Sequence, residues 1–313
     1  MNESRFHVCV PAVSANLGPG FDVLALALDL HLEATLCRKK GDLEVVYKGT
    51  LEAEQMSPDR DILLLAMARA MGVERKDLQG IHLEVDSQIP VTRGLGSSAA
   101  ALVAGVLLGN ILSGSRLSAG EVHKAAYELE GHREAVGAAL FGGLVFAPPG
   151  VEDPDLAHPL PLPIHPSWRF AVAWPAMEVS TTLARSVLPP SLPHEVTARS
   201  VGRTLLLLHG LKEADPRLVK LGIQDEVHLP FRRHLVPGFK RVMEAALENG
   251  ASGLTLSGSG PALVAPVLGE ETGRKVVEAM VQAFKDSNQD AEGKLLDVAG
   301  RATLEVLPPN LPG

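Results

Sequence analysis

The sequence predicts an α+β fold in two domains. At 313 residues the chain is about twice the length of an ordinary single domain. Strand-like and helix-like segments are mixed along it without the strict alternation of a doubly wound parallel sheet. The stretch 148–166 holds seven prolines and no periodicity, which makes it the natural seam between residues 1–160 and 161–313.

Taken in order, residues 8–10 and 25–34 have strand character and flank a turn-rich segment at 12–22. Residues 43–47 and 81–85 alternate apolar and polar side chains, the period of half-buried strands. Residues 61–71 carry apolar positions at helical spacing, with Asp59 or Asp61 as the cap. The apolar run 99–112, interrupted by Gly105, Gly109 and Asn110, reads as a helix buried on all sides. Ser118 with Glu121 three residues on forms a capping box for a helix to Glu130. A strand is expected over 140–147. Beyond the seam come a strand at 170–174, helices at 201–210 and 236–249, and strand, glycine turn and strand over 253–267. A helix at 273–284 and a final strand region at 294–307 complete the chain.

Composition excludes several functions. Lysine and arginine number 29 against 37 acidic residues, a net charge of −8, so no basic field is available to grip a nucleic-acid backbone. Aromatic residues are only 4%, too few for a base-stacking platform. The longest apolar run is shorter than the ~20 residues needed to span a bilayer, and residues 1–8 lack a signal-peptide core. Two cysteines, Cys9 and Cys37, make no disulfide framework. These features lead to the expectation of a reduced, cytoplasmic protein without nucleic-acid or membrane partners.

The most informative stretch contains Pro90, Arg93, Gly94, Leu95, Gly96, Ser97, Ser98, Ala99 and Ala100. Two glycines allow tight backbone turns, and a run of helix formers follows the two serines. Ser97 and Ser98 therefore sit at a helix N-terminus, where unpaired N–H groups and the macrodipole favour an anion. Their hydroxyls suit phosphate oxygens or a bridging Mg²⁺. No Gly-Lys-Ser or Gly-Lys-Thr occurs, so a Walker P-loop is absent.

The string from Pro90 to Ala99 resembles the second motif of the GHMP kinases, and 256–262 (Leu-Ser-Gly-Ser-Gly-Pro-Ala) resembles their third. The segment from Val10 to Asp22 is similar to the first motif of the homoserine kinases, with Val13 and Ala25 where that family usually has threonine and glycine. The resemblance implies an N-terminal domain like the second domain of ribosomal protein S5 and a ferredoxin-like C-terminal domain, with the site between them. It implies ATP and Mg²⁺, and transfer of phosphate to the hydroxyl of L-homoserine for threonine synthesis. Homodimers are common in the family.

Carried over by motif, the binding set for ATP is Pro90 and Arg93 to Ala100, with Asp61 near the nucleoside. Ser98 and Glu130 are the implied Mg²⁺ ligands, Glu128 being a rival for the second. Arg185 and Arg232 are the implied carboxylate binders, Asp22 faces the ammonium, and Asn16, Thr181, His132 and Glu134 complete the substrate pocket. Arg185, Glu130 and Ser98 are the expected catalytic groups. One departure stands out: where the family reads Asp-Asn, this chain has Glu134 and Ala135, and alanine cannot contact a substrate hydroxyl. That substitution leaves two alternatives: a catalytically weak ligand-binding paralogue, or a kinase for another small alcohol.

Overall fold

The computed structural model describes residues 5–150 and 158–308. Residues 1–4, 151–157 and 309–313 lie outside that description, and with them the start of the chain and the middle of the proline-rich seam. The first part comprises β1 (Arg5–Ala15), β2 (Leu24–Arg38), β3 (Glu44–Gly49), α1 (Thr50–Ala53), α2 (Ile62–Met71), β4 (Ile81–Ser87) and α3 (Ser97–Leu112). It continues with α4 (Ala119–Glu130), α5 (Arg133–Phe141), β5 (Leu144–Phe146) and β6 (Leu160–Leu162). The second part holds β7 (Trp168–Pro175), α6 (Thr181–Ser186), α7 (His194–Glu213), α8 (Pro216–Gly222), α9 (Leu229–Arg232) and α10 (Phe239–Glu248). It ends with β8 (Thr255–Leu256), β9 (Leu263–Leu268), α11 (Glu270–Lys285), β10 (Ala291–Leu296) and β11 (Thr303–Leu307).

Two sheets result. The larger runs β11-β1-β2-β4-β3, with β5 and β6 continuing from β2, and only β3 and β4 pair in parallel. The smaller, β10-β7-β9-β8, is antiparallel throughout. The expected α+β class is therefore the observed one. The division at 160/161 does not follow the sheets, however. β6 completes the first sheet, and β11 crosses back from the chain's far end to pair with β1.

One core lies between the larger sheet and α2, α3 and α5, and a second lies between the smaller sheet and α10 and α11. β7 is buried on both faces and belongs to both. Trp168, Phe170, Val172 and Trp174 pack into the first core, while Ala171 and Ala173 pack into the second. Strand alternation thus joins the two halves through one shared strand.

The glycines interrupting the apolar run of α3 are close-approach points. A Cβ on Gly105 would come within 2.2 Å of the Leu63 carbonyl oxygen, and one on Gly109 within 2.4 Å of that of Met67. They let α3 lie directly on α2. Asp61 caps α2 by accepting from Leu63 N at 2.8 Å, and the Ser118–Glu121 capping box is formed on α4. Such caps stabilise a helix by about 1 kcal/mol.

Two local expectations fail. β1 extends to Ala15, so the irregular segment before β2 begins at Asn16 rather than at 12. The expected strand over 140–147 is mostly helix and turn: α5 runs to Phe141, Gly142 and Gly143 reverse the chain with positive φ, and only 144–146 is strand. α5 is buried on almost every side, so no amphipathic period marked it.

Candidate active site

Three loops interlock at the junction. Val13 N donates to the Leu95 carbonyl at 3.0 Å, and Gly258 N to that of Ala15 at 2.9 Å. Ser257 Oγ donates to Gly94 O at 2.7 Å, and Ala262 N to Arg93 O at 3.0 Å. Gly94 has φ +80°, and a Cβ there would meet Ser257 O at 2.4 Å and Gly260 O at 2.8 Å. A Cβ on Gly96, at φ +71°, would meet Val13 Cβ at 2.8 Å, and Gly96 caps α3 without a side-chain hydrogen bond. The first-turn N–H groups of α3 are thereby left for an anion.

The loops open on a cavity of about 460 Å³ whose lining falls into two chemical groups. Leu51, Met56, Ile62 and Val91 are apolar; Ser98, Glu130, His132, Asp22 and Arg185 are polar or charged. Composition and motif gave no hint of the apolar group, because it assembles from α1, the following loop, α2 and the phosphate loop.

Several expected residues do not line the cavity. Arg93 is turned to the loop after β7, donating to Ala176 O at 2.6 Å and pairing with Glu178 at 3.4 Å. Ala176 lies 83 residues downstream and Glu178 two further on, beyond the reach of motif reading. Pro90, Leu95, Ala99 and Ala100 are buried and shape the loop instead of facing the cavity. Asp61 does line it, but its carboxylate already accepts from Leu63 N and from Tyr47 Oη at 2.7 Å. Burial pushes the Asp61 pKa up, and these two donors oppose the shift.

The remaining expected residues are gathered at the cavity. Ser98 Oγ donates to Glu130 Oε2 at 2.5 Å, whereas Glu128 is exposed and outside the lining. A hydroxyl and a carboxylate this close are hard oxygen donors suited to one Mg²⁺. No cluster of three or more His, Cys, Asp or Glu that could hold a metal occurs among the described residues. Further ligands for a cation would therefore come from a bound phosphate and water.

Asp22 accepts two hydrogen bonds from Arg185, both at 3.0 Å, and Arg185 also donates to His132 Nε2 at 3.2 Å. The latter contact needs a neutral imidazole with its proton on Nδ1, which faces Glu130 at 3.5 Å. Glu130 foremost pulls the His132 pKa up, so Arg185 and the carboxylates act on this ring in opposite senses. Arg232 is only 2% exposed and donates to Ala184 O at 2.8 Å and Gly258 O at 3.3 Å. Burial, then repulsion by Arg185, lowers its pKa. Thr181 is exposed at the cavity rim.

Asn16 lines the cavity and also braces the loop. Its Oδ1 accepts from Asp22 N at 2.8 Å and its Nδ2 donates to Gly258 O at 3.1 Å. Both Asn16 and Asp22 have positive φ, a conformation that Asn and Asp tolerate better than other side chains. Phe21, to which the motif gives no role, lies against both Arg185 and Arg232. The guanidinium of Arg232 lies 5.2 Å and that of Arg185 5.5 Å from its ring centre, and the buried ring of His228 lies 5.4 Å away.

Comparison with known proteins places the chain in a family. The family models for the GHMP kinases N terminal domain and GHMP kinases C terminal match residues 62–143 and 207–286. A homoserine kinase from Synechococcus sp. is 35% identical over 301 residues, covering 96% of this chain and 97% of the relative. The chain belongs to the homoserine kinases of the GHMP kinase superfamily. Another family member, from Thermus thermophilus, is 40% identical over 256 residues, covering 82% of this chain and 85% of its own. The crystal structure of homoserine kinase from Cytophaga hutchinsonii superposes with a TM-score of 0.82 at 29% identity, covering 96% of this chain and 97% of that one. The fold is thus the two-domain GHMP kinase fold, and this is a kinase that uses ATP. No helix among the described residues is long and apolar enough to cross a membrane.

Proposed function

We infer that this enzyme transfers the γ-phosphoryl group of ATP to the hydroxyl of L-homoserine, giving O-phospho-L-homoserine for threonine synthesis. The observation that carries the assignment is the bidentate Asp22–Arg185 pair in the same cavity as Ser98. An amino acid brings one carboxylate and one ammonium, so it can part this pair and replace each charge's partner. The carboxylate goes to the Arg185 fork, supported by Arg232 across Phe21, and the ammonium goes to Asp22. A small alcohol without an ammonium would leave Asp22 unpaired, which disfavours a mevalonate-type substrate.

On the nucleotide side, the adenine fits the apolar group of Leu51, Met56, Ile62 and Val91. The phosphates fit the N-terminus of α3 at Ser97 and Ser98. Ser98 and Glu130 would hold Mg²⁺, which when bound neutralises charge on the triphosphate. The protein's own contribution is positioning: the loops fix the phosphate end while Arg185, Arg232 and Asp22 fix the acceptor. Cys9 and Cys37 form no disulfide, which suits a reducing cytoplasm.

The reading as a non-catalytic paralogue is not favoured, because relatives spanning nearly the whole chain are named as kinases. Purified protein with ATP, Mg²⁺ and L-homoserine should release ADP and form phosphohomoserine, followed by ³¹P NMR. Absence of the phosphate ester, or equal turnover of mevalonate, would overturn the assignment.

A further inference from the structure

Arg93 belongs to the phosphate loop by sequence, yet its side chain is 13% exposed and does not line the cavity. It gathers groups from both parts of the chain. Nη1 donates to Val91 O at 3.0 Å and to Thr92 Oγ1 at 2.9 Å, and both residues line the cavity. Thr92 has φ +57°, an unusual conformation for a β-branched residue, and Arg93 holds its hydroxyl. On the other side Nη2 donates to Ala176 O at 2.6 Å, and Glu178 lies 3.4 Å from Nη1. Ala176 and Glu178 lie in the turn between β7 and α6, and Val179, Ser180, Thr181 and Arg185 just beyond them line the cavity.

α6 is the element that this turn presents. Within Thr181–Ser186 only Ala184 is buried, and Leu183 is 48% exposed, so little apolar surface fixes the helix in place. Polar contacts do more. Arg232 donates to Ala184 O at 2.8 Å, and Arg185 pairs with Asp22. Arg93 fixes the turn that leads to Ser180, the N-cap whose Oγ accepts from Leu183 N at 3.1 Å. The first two contacts involve groups assigned above to the substrate, and entry of an amino acid parts the Asp22–Arg185 pair. The Arg93 contact lies outside the cavity and outlasts that exchange.

We propose that Arg93 is a positioning residue for the acceptor substrate: it ties the turn before α6 to the phosphate loop and so sets where Arg185 meets the substrate carboxylate. This rests on the kinase assignment above. A residue that the motif assigns to ATP thereby serves the other substrate. A guanidinium suits the task because its planar fork donates in two directions at once, whereas an ammonium is a single point of charge.

The test compares wild type, Arg93→Met, Arg93→Lys, Arg185→Met and the double variant Arg93→Met/Arg185→Met, with ATP, Mg²⁺ and L-homoserine. Arg93→Met should raise KM for homoserine about tenfold and leave KM for ATP and kcat within about threefold. Arg93→Lys, which can still reach one carbonyl, should recover part of that loss. Arg185→Met already removes the group that Arg93 positions. KM for homoserine in the double variant should therefore stay within about threefold of that in Arg185→Met alone. A general loss of stability would instead multiply the two effects. Calorimetric titration with ADP shows that each variant is folded, and Arg93→Lys carries the comparison should the methionine variant fail to bind ADP. An Arg93→Met enzyme with unchanged KM for homoserine, or a double variant whose losses multiply, would overturn the proposal and leave the kinase assignment intact. A wild type that forms no phosphohomoserine would overturn both.

Discussion

The two halves of the active site are built from different materials. The phosphate side is backbone: Gly94, Gly96 and Gly258 bring three loops within hydrogen-bonding distance, and the first turn of α3 supplies N–H groups. The proposed acceptor side is side chains, with Arg185, Arg232 and Asp22 grouped near Phe21, and Glu134 and His132 in the same cavity lining. A backbone site tolerates almost no added atom, because any Cβ meets main chain that cannot move alone. A side-chain site can trade one group for another while the fold stands. The pair Glu134–Ala135 in place of Asp-Asn is a trade of that kind, and it lies on the acceptor side.

The contrast can be broken most sharply at Arg185. Arg185→Met removes a bidentate charged contact and leaves Asp22 unpaired, so KM for homoserine should rise by about 100–1000-fold. ATP affinity and thermal stability should change little; steady-state kinetics and nucleotide titration read both. Gly94→Ala should do the reverse. With a clash at 2.4 Å and φ of +80°, it should cost about 3 kcal/mol of stability and weaken ATP binding with it. Denaturant melts and nucleotide titration on one preparation would show whether folding and binding fall together.

A third test concerns stability alone. The Glu134 carboxyl rises from 4.5 to about 7 on folding, so the folded chain binds more protons than the unfolded chain between those values. Its contribution to stability is full below pH 4.5 and is lost as pH rises through about 7. Glu134→Gln, which carries no charge, should therefore be more stable than wild type at pH 8 by on the order of 2 kcal/mol, and the gap should close toward pH 5. Melts at the two pH values measure it; a gap that does not vary with pH would contradict the sign. The smallest effect is expected at Phe21. Phe21→Leu keeps bulk but loses the ring face between two guanidiniums, a loss of about 1 kcal/mol. KM for homoserine should rise about fivefold with kcat nearly unchanged.

The same division separates what was legible in the chain from what was not. Gly94, Gly96 and the serines announced an anion site because glycine turns and helix starts are local facts of sequence. The Asp61 cap and the Ser118–Glu121 box were legible for that reason too. Arg93 belongs to the ATP-binding set by motif but is bound to Ala176 and Glu178, and Asn16, which lines the cavity, also braces Gly258, 242 residues away, which no motif shows. α5 left no trace because a helix buried all round has no polar face to mark its period.

The sequence by itself determined the fold class, the phosphate loop and the family, since each is written in short-range chemistry: periodicity, caps and glycine spacing. Only the tertiary structure decided which charges meet. Asp22 meets Arg185 across 163 residues, and Glu134 shares a cavity with Asp22 and Glu130 only because α4, α5, α6 and the loop after β1 converge. Ionic and hydrogen-bond partners are fixed by distance in space, and the order of residues along a chain does not contain it.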